Sequence, residues 1–367
     1  MKVLWIGHFL QTGGWSEATK NYILAMDSVG IDIIPRPFPL NSPQIQPEGR
    51  LKQLMEKSSI GCDICIQHLL PHYMQYDGHF KKNIGLFVLE SHNIKYTPWP
   101  SYLNLMDELW VPCQYMIDNK DNNGIKVPME LVPHAFDLTK YKEYSPLDIP
   151  ELTGNYVFYY IGELTRRKNL EALITAFQIA FRSNKAVALI LKISLPGVDY
   201  QNLNNMVKGL CNKIKKSLRL YINEHLYKDE TIITQYLSEE DLIKLHKSCH
   251  CYISTSHGEG FCLPAMEALM LGNLVIAPNC TAFQDFVHPD FLVDCQESPC
   301  VDMFETFDGH NTSNEVWYDI NVVNLMKKMR FCYENRDMTK YKKWYQNKVQ
   351  EFSYATIGNK IKNLLKQ

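Results

Sequence analysis

The chain has 367 residues, a formal net charge of −2, and 46% hydrophobic and 12% aromatic residues. Such a length accommodates two domains of ordinary size, and the apolar content excludes disorder as the main state. The near-zero charge leaves no electrostatic footprint for nucleic acid.

Lys2 to Gly7 (KVLWIG) reads as a strand, FLQTGGWSEATK as a glycine-bearing loop, Ser16 to about Ser28 as a helix and Ile31 to Ile34 as a second strand. Strand, loop, helix, strand is a parallel βαβ unit, whose nucleotide site lies at the carboxyl ends of the strands. No Gly-x-Gly-x-x-Gly occurs, which weighs against a dinucleotide-binding oxidoreductase, and Gly13-Gly14 alone is only a turn signal. The opening apolar run stops at Gly7 and His8, too short for a secretory leader. No run of about 18 apolar residues follows, so a cytoplasmic protein is expected. The eleven cysteines, an odd number, then read as free buried thiols. Cys62-x-x-Cys65 and Cys249-His250-Cys251 fall at predicted strands, and neither has a second ligand pair at finger spacing.

Asp63 to Gln67 and Ile84 to Leu89 read as strands, the second leading into Glu90-Ser91-His92. Trp99 to Met106 reads as a helix, Glu108 to Val111 as a strand, and Glu130 to Val132 as a strand before Pro133-His134. His68 and His134 follow strands without a role that the residues specify. Tyr144 to Gly154 has the proline and polar character of a linker. The pattern then restarts: strand Tyr156 to Ile161, loop Gly162 to Lys168, helix Asn169 to Phe181, strand Ala186 to Ile193, a further strand at Leu218 to Ile222, and helix Glu239 to Lys247.

The chemistry concentrates in Tyr252 to Pro278, YISTSHGEGFCLPAMEALMLGNLVIAP, which reads as strand, loop, helix, strand. Pro264 suits a first helical turn, so the helix is expected to start at about Leu263. Its N-terminus presents unpaired backbone N–H groups and the positive end of the helix dipole, and Gly258 and Gly260 allow close approach of an anion such as phosphate. Glu259 and Glu267, eight positions apart, flank that anion site. A carboxylate accepts two hydrogen bonds from a vicinal diol, so the pair suits a sugar–phosphate–sugar ligand. Each glutamate alone also reads as a solvated loop residue or an ordinary first-turn acid. Beyond this core, Cys295 to Glu315 reads as a long surface loop, and helices are expected at Ile320 to Glu334, Thr339 to Phe352 and Thr356 to Leu365. Lysine clusters at 326–330 and 340–343 read as a solvated face, with peripheral membrane docking as the alternative.

The order Ser256-x-x-Glu259-Gly-Phe-x-Leu-Pro264-x-x-Glu267-Ala-x-x-x-Gly272-x-x-Val275-Ile276-Ala277 resembles the Glu-x7-Glu signature of retaining glycosyltransferases, the group 1, family 4-like enzymes. The resemblance implies an α/β chain of the GT-B type, two Rossmann-like domains facing each other across a cleft. Residues 1–145 would form the acceptor-side domain, with 353–367 crossing back onto it, and 154–352 the donor domain. It implies transfer of a hexose from a UDP- or GDP-sugar to a hydroxyl of a glycan, lipid or protein acceptor. It further places Glu259 by the donor sugar and Glu267 on the nucleotide ribose, with Gly260, Phe261, Cys262 and Leu263 lining the donor. Cys262 stands where glycine is usual. Gly13 and Gly14 correspond to the glycine pair that approaches the donor phosphates, and His92 to a histidine near the donor sugar. Lys168 matches the lysine that meets the diphosphate, whereas Glu163 stands where the family has an arginine, leaving Arg166 or Arg167 as the second cation. Base contacts are expected from backbone near Tyr236-Leu237-Ser238. No Asp-x-Asp occurs, so neither metal nor cofactor is expected. An epimerase of similar fold, a pyridoxal-phosphate phosphorylase and a non-catalytic sugar-nucleotide scaffold are the alternatives.

Overall fold

The computed structural model describes residues 2–39, 45–140, 144–147, 149, 152–181, 186–222, 226–301, 314–335 and 338–366. The chain divides into two compact units: residues 1–139, 299–316 and 350–367 form one, and 140–298 with 317–349 the other.

The first unit alternates strands and helices: β1 (Lys2–Gly7), α1 (Gly14–Ser28), β2 (Asp32–Pro37), α2 (Gly49–Met55), β3 (Ile64–His68), β4 (Lys82–Leu86), α3 (Trp99–Leu103), β5 (Glu108–Val111), α4 (Gln114–Asp118) and β6 (Met129–Leu131). Its sheet has the order β2-β1-β3-β4-β5-β6 with every pairing parallel. Strand β3 is buried along its whole length, and Val3, Trp5, Ile66 and Trp110 are fully enclosed. Near-continuous apolar runs of this kind belong to parallel strands covered on both faces.

The second unit continues with β7 (Tyr156–Glu163), α5 (Leu170–Ala180), β8 (Val187–Ser194), α6 (Tyr200–Leu218), β9 (Glu230–Ile233), α7 (Glu239–Lys247), β10 (Cys251–Ile253), α8 (Leu263–Met270), β11 (Leu274–Pro278), α9 (Phe283–Phe286) and β12 (Leu292–Val293). There follow β13 (Cys295–Pro299), β14 (Val316–Ile320), α10 (Val322–Glu334), α11 (Thr339–Lys348) and α12 (Tyr354–Leu364). The second sheet runs β12-β11-β10-β7-β8-β9, again with every pairing parallel. Counted within its own unit this is the order 3-2-1-4-5-6 of a doubly wound nucleotide-binding sheet. Helix α10 packs on α5, where Arg330 donates to the carbonyls of Ala180 and Ile179 and so caps the last turn of α5. Arg330 is nonetheless exposed, as expected of a solvated basic face, and serves both roles.

Helix α12 belongs to the first unit, lying against α1. Gly358 makes this approach close, since a Cβ there would run into the Ala25 carbonyl, and Tyr354 and Lys362 donate to Asn21 Oδ1 and the Val29 carbonyl at 2.6 Å each.

Several elements depart from the sequence reading. Leu218 to Ile222 is not a strand: α6 runs to Leu218, Arg219 turns left-handed at φ 50°, and Leu220 and Ile222 are exposed. The alternation there matches a strand period but buries nothing, and the third strand of this sheet is instead β9. Helix α6 itself was not anticipated, although Leu203, Val207, Cys211 and Ile214 form its buried stripe and Asp199 caps it by accepting from the Gln201 and Asn202 N–H groups. The expected loop 295–315 begins as a strand, β13, paired with β14, while 302–313 lie outside the described residues. Parts of the expected linker 144–154 also lie outside them. The eleven cysteines are free thiols, Cys62 and Cys295 half-buried and the others buried. Among the described residues no helix is long and apolar enough to cross a membrane.

Candidate active site

The order of the second sheet reverses at β7 and β10, which pair directly. Loops leaving the carboxyl ends of two such strands lead to helices on opposite faces and leave a crevice between them, the usual ligand position of an open α/β sheet. Here they are the loop 164–169 after β7 and the loop 254–262 after β10.

The two loops are stitched together by hydrogen bonds. The His257 N–H donates to the Arg167 carbonyl at 2.8 Å, and the Thr255 hydroxyl to that of Asn169 at 2.8 Å. The Ser256 hydroxyl lies 3.2 Å from the Arg167 carbonyl and 3.1 Å from that of Gly258. Asn169, left-handed at φ 50°, turns the chain into α5, so Arg167 and Lys168 are held just ahead of that helix. The imidazole of His257 is fixed in turn by stacking on Trp317, with ring centroids 4.3 Å apart, and by Nδ1 lying 3.0 Å from the Tyr318 carbonyl. Burial lowers its pKa, against the raising effects of that carbonyl and of Asp319.

Glu259 is the centre of the arrangement. Its carboxylate is almost fully buried and takes both neighbouring cations on Oε1: Lys168 Nζ at 2.6 Å and Arg167 Nη1 at 3.1 Å. Arg167 Nη1 also donates to the Gly258 carbonyl at 2.8 Å. The Glu259 N–H donates to the Thr281 hydroxyl at 3.2 Å. Burial alone would raise the Glu259 pKa, but the Arg167 and Lys168 charges with hydrogen bonds from Lys168 and Ser256 hold it well below the usual carboxylate range. Glu259 is therefore ionised at neutral pH and is an acceptor, not a proton donor. Two cations against one carboxylate leave a net charge of +1, which suits an anion. Glu163, by contrast, is exposed at the end of β7, and Arg166 is also exposed.

Helix α8 starts at Leu263, with Cys262 left-handed before it at φ 76° and Pro264 in its first turn. Pro264 carries no N–H, and those of Ala265 and Met266 donate to the Cys262 carbonyl at 3.2 and 3.4 Å, so the helix start offers an anion its dipole more than a row of free N–H groups. Gly260, Phe261 and Cys262 are buried and Leu263 is half-buried. Glu267, one turn into α8, is also half-buried, with Oε2 3.6 Å from His246 Nε2. In the second unit, then, Arg167, Lys168 and Glu259 meet at the switch point of the sheet, Gly260, Phe261, Cys262 and Leu263 lead from there into α8, and Glu267 lies one turn further along that helix, beside His246. Tyr236 is exposed, and Ser238 caps α7 by accepting from the Asp241 N–H.

Gly13, Gly14 and His92 belong to the first unit. Gly13 precedes α1 at φ 116°, a value that favours glycine, and Gly14 opens the helix. His92 is not at the end of a strand: β4 stops at Leu86, and His92 instead forms an antiparallel bridge with Val316, with N–H to carbonyl distances of 3.0 Å both ways. Its Nδ1 is engaged by the Tyr115 hydroxyl. His68 and His134 are buried in the interior, bonded to Thr19 and Tyr22, and burial lowers both pKa values, that of His134 to about 3.

Residues 148–296 match the family model described as Glycosyl transferases group 1. The second unit is a group 1 glycosyltransferase domain. A stretch of 124 residues is 30% identical to the serotype-specific mannosyltransferase WbdA of Escherichia coli, covering 33% of this chain and 13% of the relative. The chain thus matches a small part of the curated relatives' length. Among solved structures, sucrose-phosphate synthase of Thermosynechococcus elongatus is similar over 100% of this chain and 99% of its own, with a TM-score of 0.67 and 16% identity. HepE of Anabaena, solved with UDP-glucose, is similar over 100% and 99%, with a TM-score of 0.63 and 15% identity. These likenesses establish the fold, two Rossmann-like units of the GT-B class. Thr281 and the His257–Trp317 stack, which the sequence reading did not single out, also hold the Glu259 loop.

Proposed function

We propose that the chain is a retaining, metal-independent glycosyltransferase that moves a hexose from a nucleoside-diphosphate sugar to an acceptor hydroxyl. The observation that carries this reading is the Lys168–Glu259–Arg167 cluster, a buried carboxylate between two half-buried cations with surplus positive charge. Transfer expels a nucleoside diphosphate, and the rate depends on stabilising the charge that develops on the leaving oxygen. Lys168 and Arg167 are fixed donors for that oxygen and its phosphates, with the positive end of the α8 dipole adding to their charge. Glu259 serves as the carboxylate beside the donor sugar, and Glu267 accepts hydrogen bonds from the ribose diol. The UDP-glucose held by HepE and the mannosyltransferase activity in the name of the WbdA relatives support a hexose donor. A basic leaving-group clamp argues against a merely sugar-binding scaffold, because binding alone does not require it.

The test is a calorimetric titration of UDP, GDP and ADP into wild type and Glu259→Gln in the presence of a chelator. One diphosphate is expected to bind both proteins with similar affinity, whereas donor turnover is lost only in the variant. Failure of all three to bind, or wild-type turnover in Glu259→Gln, would contradict the reading.

A further inference from the structure

A buried polar chain runs through the second unit to Glu267. Asn273 Nδ2 donates to the Tyr159 hydroxyl oxygen at 2.8 Å and to the His246 carbonyl at 2.7 Å. The Tyr159 hydroxyl lies 2.6 Å from His246 Nδ1. His246 Nε2 then faces Glu267 Oε2 at 3.6 Å and has no hydrogen-bond partner, although the side chain is only 2% exposed. Four residues from β7, α7, α8 and the turn before β11 thus meet in one line, three of them with no exposure to speak of.

The direction of this line follows from the donor inventory. Asn273 must donate through its NH2 group, so the phenol oxygen receives one proton from it. The phenol's own proton then has His246 Nδ1 as its acceptor, which makes Nδ1 the unprotonated nitrogen of the neutral ring. The other nitrogen carries the N–H, and that N–H is aimed at the Glu267 carboxylate. A buried imidazole N–H with no closer acceptor costs free energy unless a partner comes within reach. Glu267 is half-exposed and sits on the first turns of a short helix, so a small rotation of its side chain closes the gap.

We infer that His246 is a positioning residue for Glu267, with Tyr159 and Asn273 setting its tautomer. The imidazole holds one carboxylate oxygen and leaves the other turned outward for two ribose hydroxyls. A carboxylate fixed in this way loses less rotamer freedom when the nucleotide binds, so the device acts on affinity. A metal-bound histidine oriented by a carboxylate uses the same logic with the roles exchanged. The inference rests on the ribose role proposed for Glu267.

The experiment titrates UDP and, in parallel, GDP into His246→Asn, His246→Gln and Tyr159→Phe, each alone and combined with Glu267→Ala. Glutamine sets an amide N–H where Nε2 lies and asparagine sets one only where Nδ1 lies. His246→Asn is expected to lose about three- to tenfold in affinity for the preferred diphosphate while His246→Gln stays within about twofold of wild type. Tyr159→Phe keeps the ring packing but frees the tautomer, and is expected to lose about two- to fivefold. None of these losses is expected in the Glu267→Ala background. A purely structural histidine would instead lower the melting temperature of both His246 variants and leave their affinities alike. Equal affinities for the asparagine and glutamine variants, or full losses that persist without Glu267, would overturn the inference. If the His246 variants do not fold, Tyr159→Phe with and without Glu267→Ala decides it on the same criterion. If Glu267→Ala alone leaves affinity unchanged, the ribose role itself falls and the inference with it. A loss in that variant with none in the others removes the inference alone.

Discussion

Replacing Lys168 by alanine is expected to lower hexose transfer by about 10²–10³, the usual loss when a preorganised donor to a developing oxyanion is removed. Lys168 holds Glu259 at 2.6 Å beside Arg167, so the variant also leaves the buried carboxylate with a single cation. The transition state suffers doubly: the leaving diphosphate loses a donor, and the site's net charge falls from +1 to zero. Steady-state kinetics should show the loss mainly in kcat, because the charge being stabilised is fully developed only as the bond to the leaving oxygen breaks. Added magnesium or manganese should not restore the rate. Arg167→Ala supplies the comparison. Its guanidinium touches both Glu259 and the Gly258 carbonyl, and a loss of similar size would identify it as the second cation. Arg166 is exposed, so Arg166→Ala is expected to stay near wild type. Wild-type turnover in Lys168→Ala would refute this assignment of the leaving-group clamp.

Removing the Glu267 carboxylate is expected to weaken binding of the free nucleoside diphosphate by about 1.5–3 kcal/mol, the usual worth of hydrogen bonds to a charged group. The side chain is half-buried on α8 and its loss opens no core cavity, so the fold and melting temperature should change little. Because the ribose is present in nucleotide and nucleotide sugar alike, both ligands should lose affinity equally. Calorimetry of Glu267→Ala checks this, and an unchanged dissociation constant in the folded variant would return Glu267 to an ordinary helix acid.

The residues of the Glu259 loop and of α8 were legible because they are contiguous. Tyr252 to Pro278 carries its own strand, glycine loop, proline at the helix start and second strand, and each appears in β10, α8 and β11. Strand β5 and helix α7 likewise begin and end where the apolar pattern does. What local pattern does not encode is which strands lie side by side. Lys168 and Glu259 meet only because β7 pairs with β10, which brings residues 91 positions apart into contact. Tyr159, His246, Glu267 and Asn273 are spread over more than a hundred residues in the same way, so no spacing announces them. Misreadings have the same origin. Leu218 to Ile222 has the period of a strand but follows directly on α6 and joins no sheet, and β13 is polar enough to read as loop until β14 is there to pair with it. His92 lost its expected strand-end position because β4 stops early, and its backbone is held instead by a bridge to Val316, a residue far along the chain.

The central claim is that a nucleoside-diphosphate hexose loses its diphosphate to a cationic protein site, without a metal, and with the anomeric configuration kept. Proton NMR of wild-type protein with the preferred UDP- or GDP-hexose tests this most directly, followed in chelator from the first turnovers with an acceptor alcohol or water. The account predicts steady donor consumption with chelator present and a first-formed product that has the donor's own anomeric configuration. Inverted product, or activity that appears only when a divalent metal is restored, would contradict it.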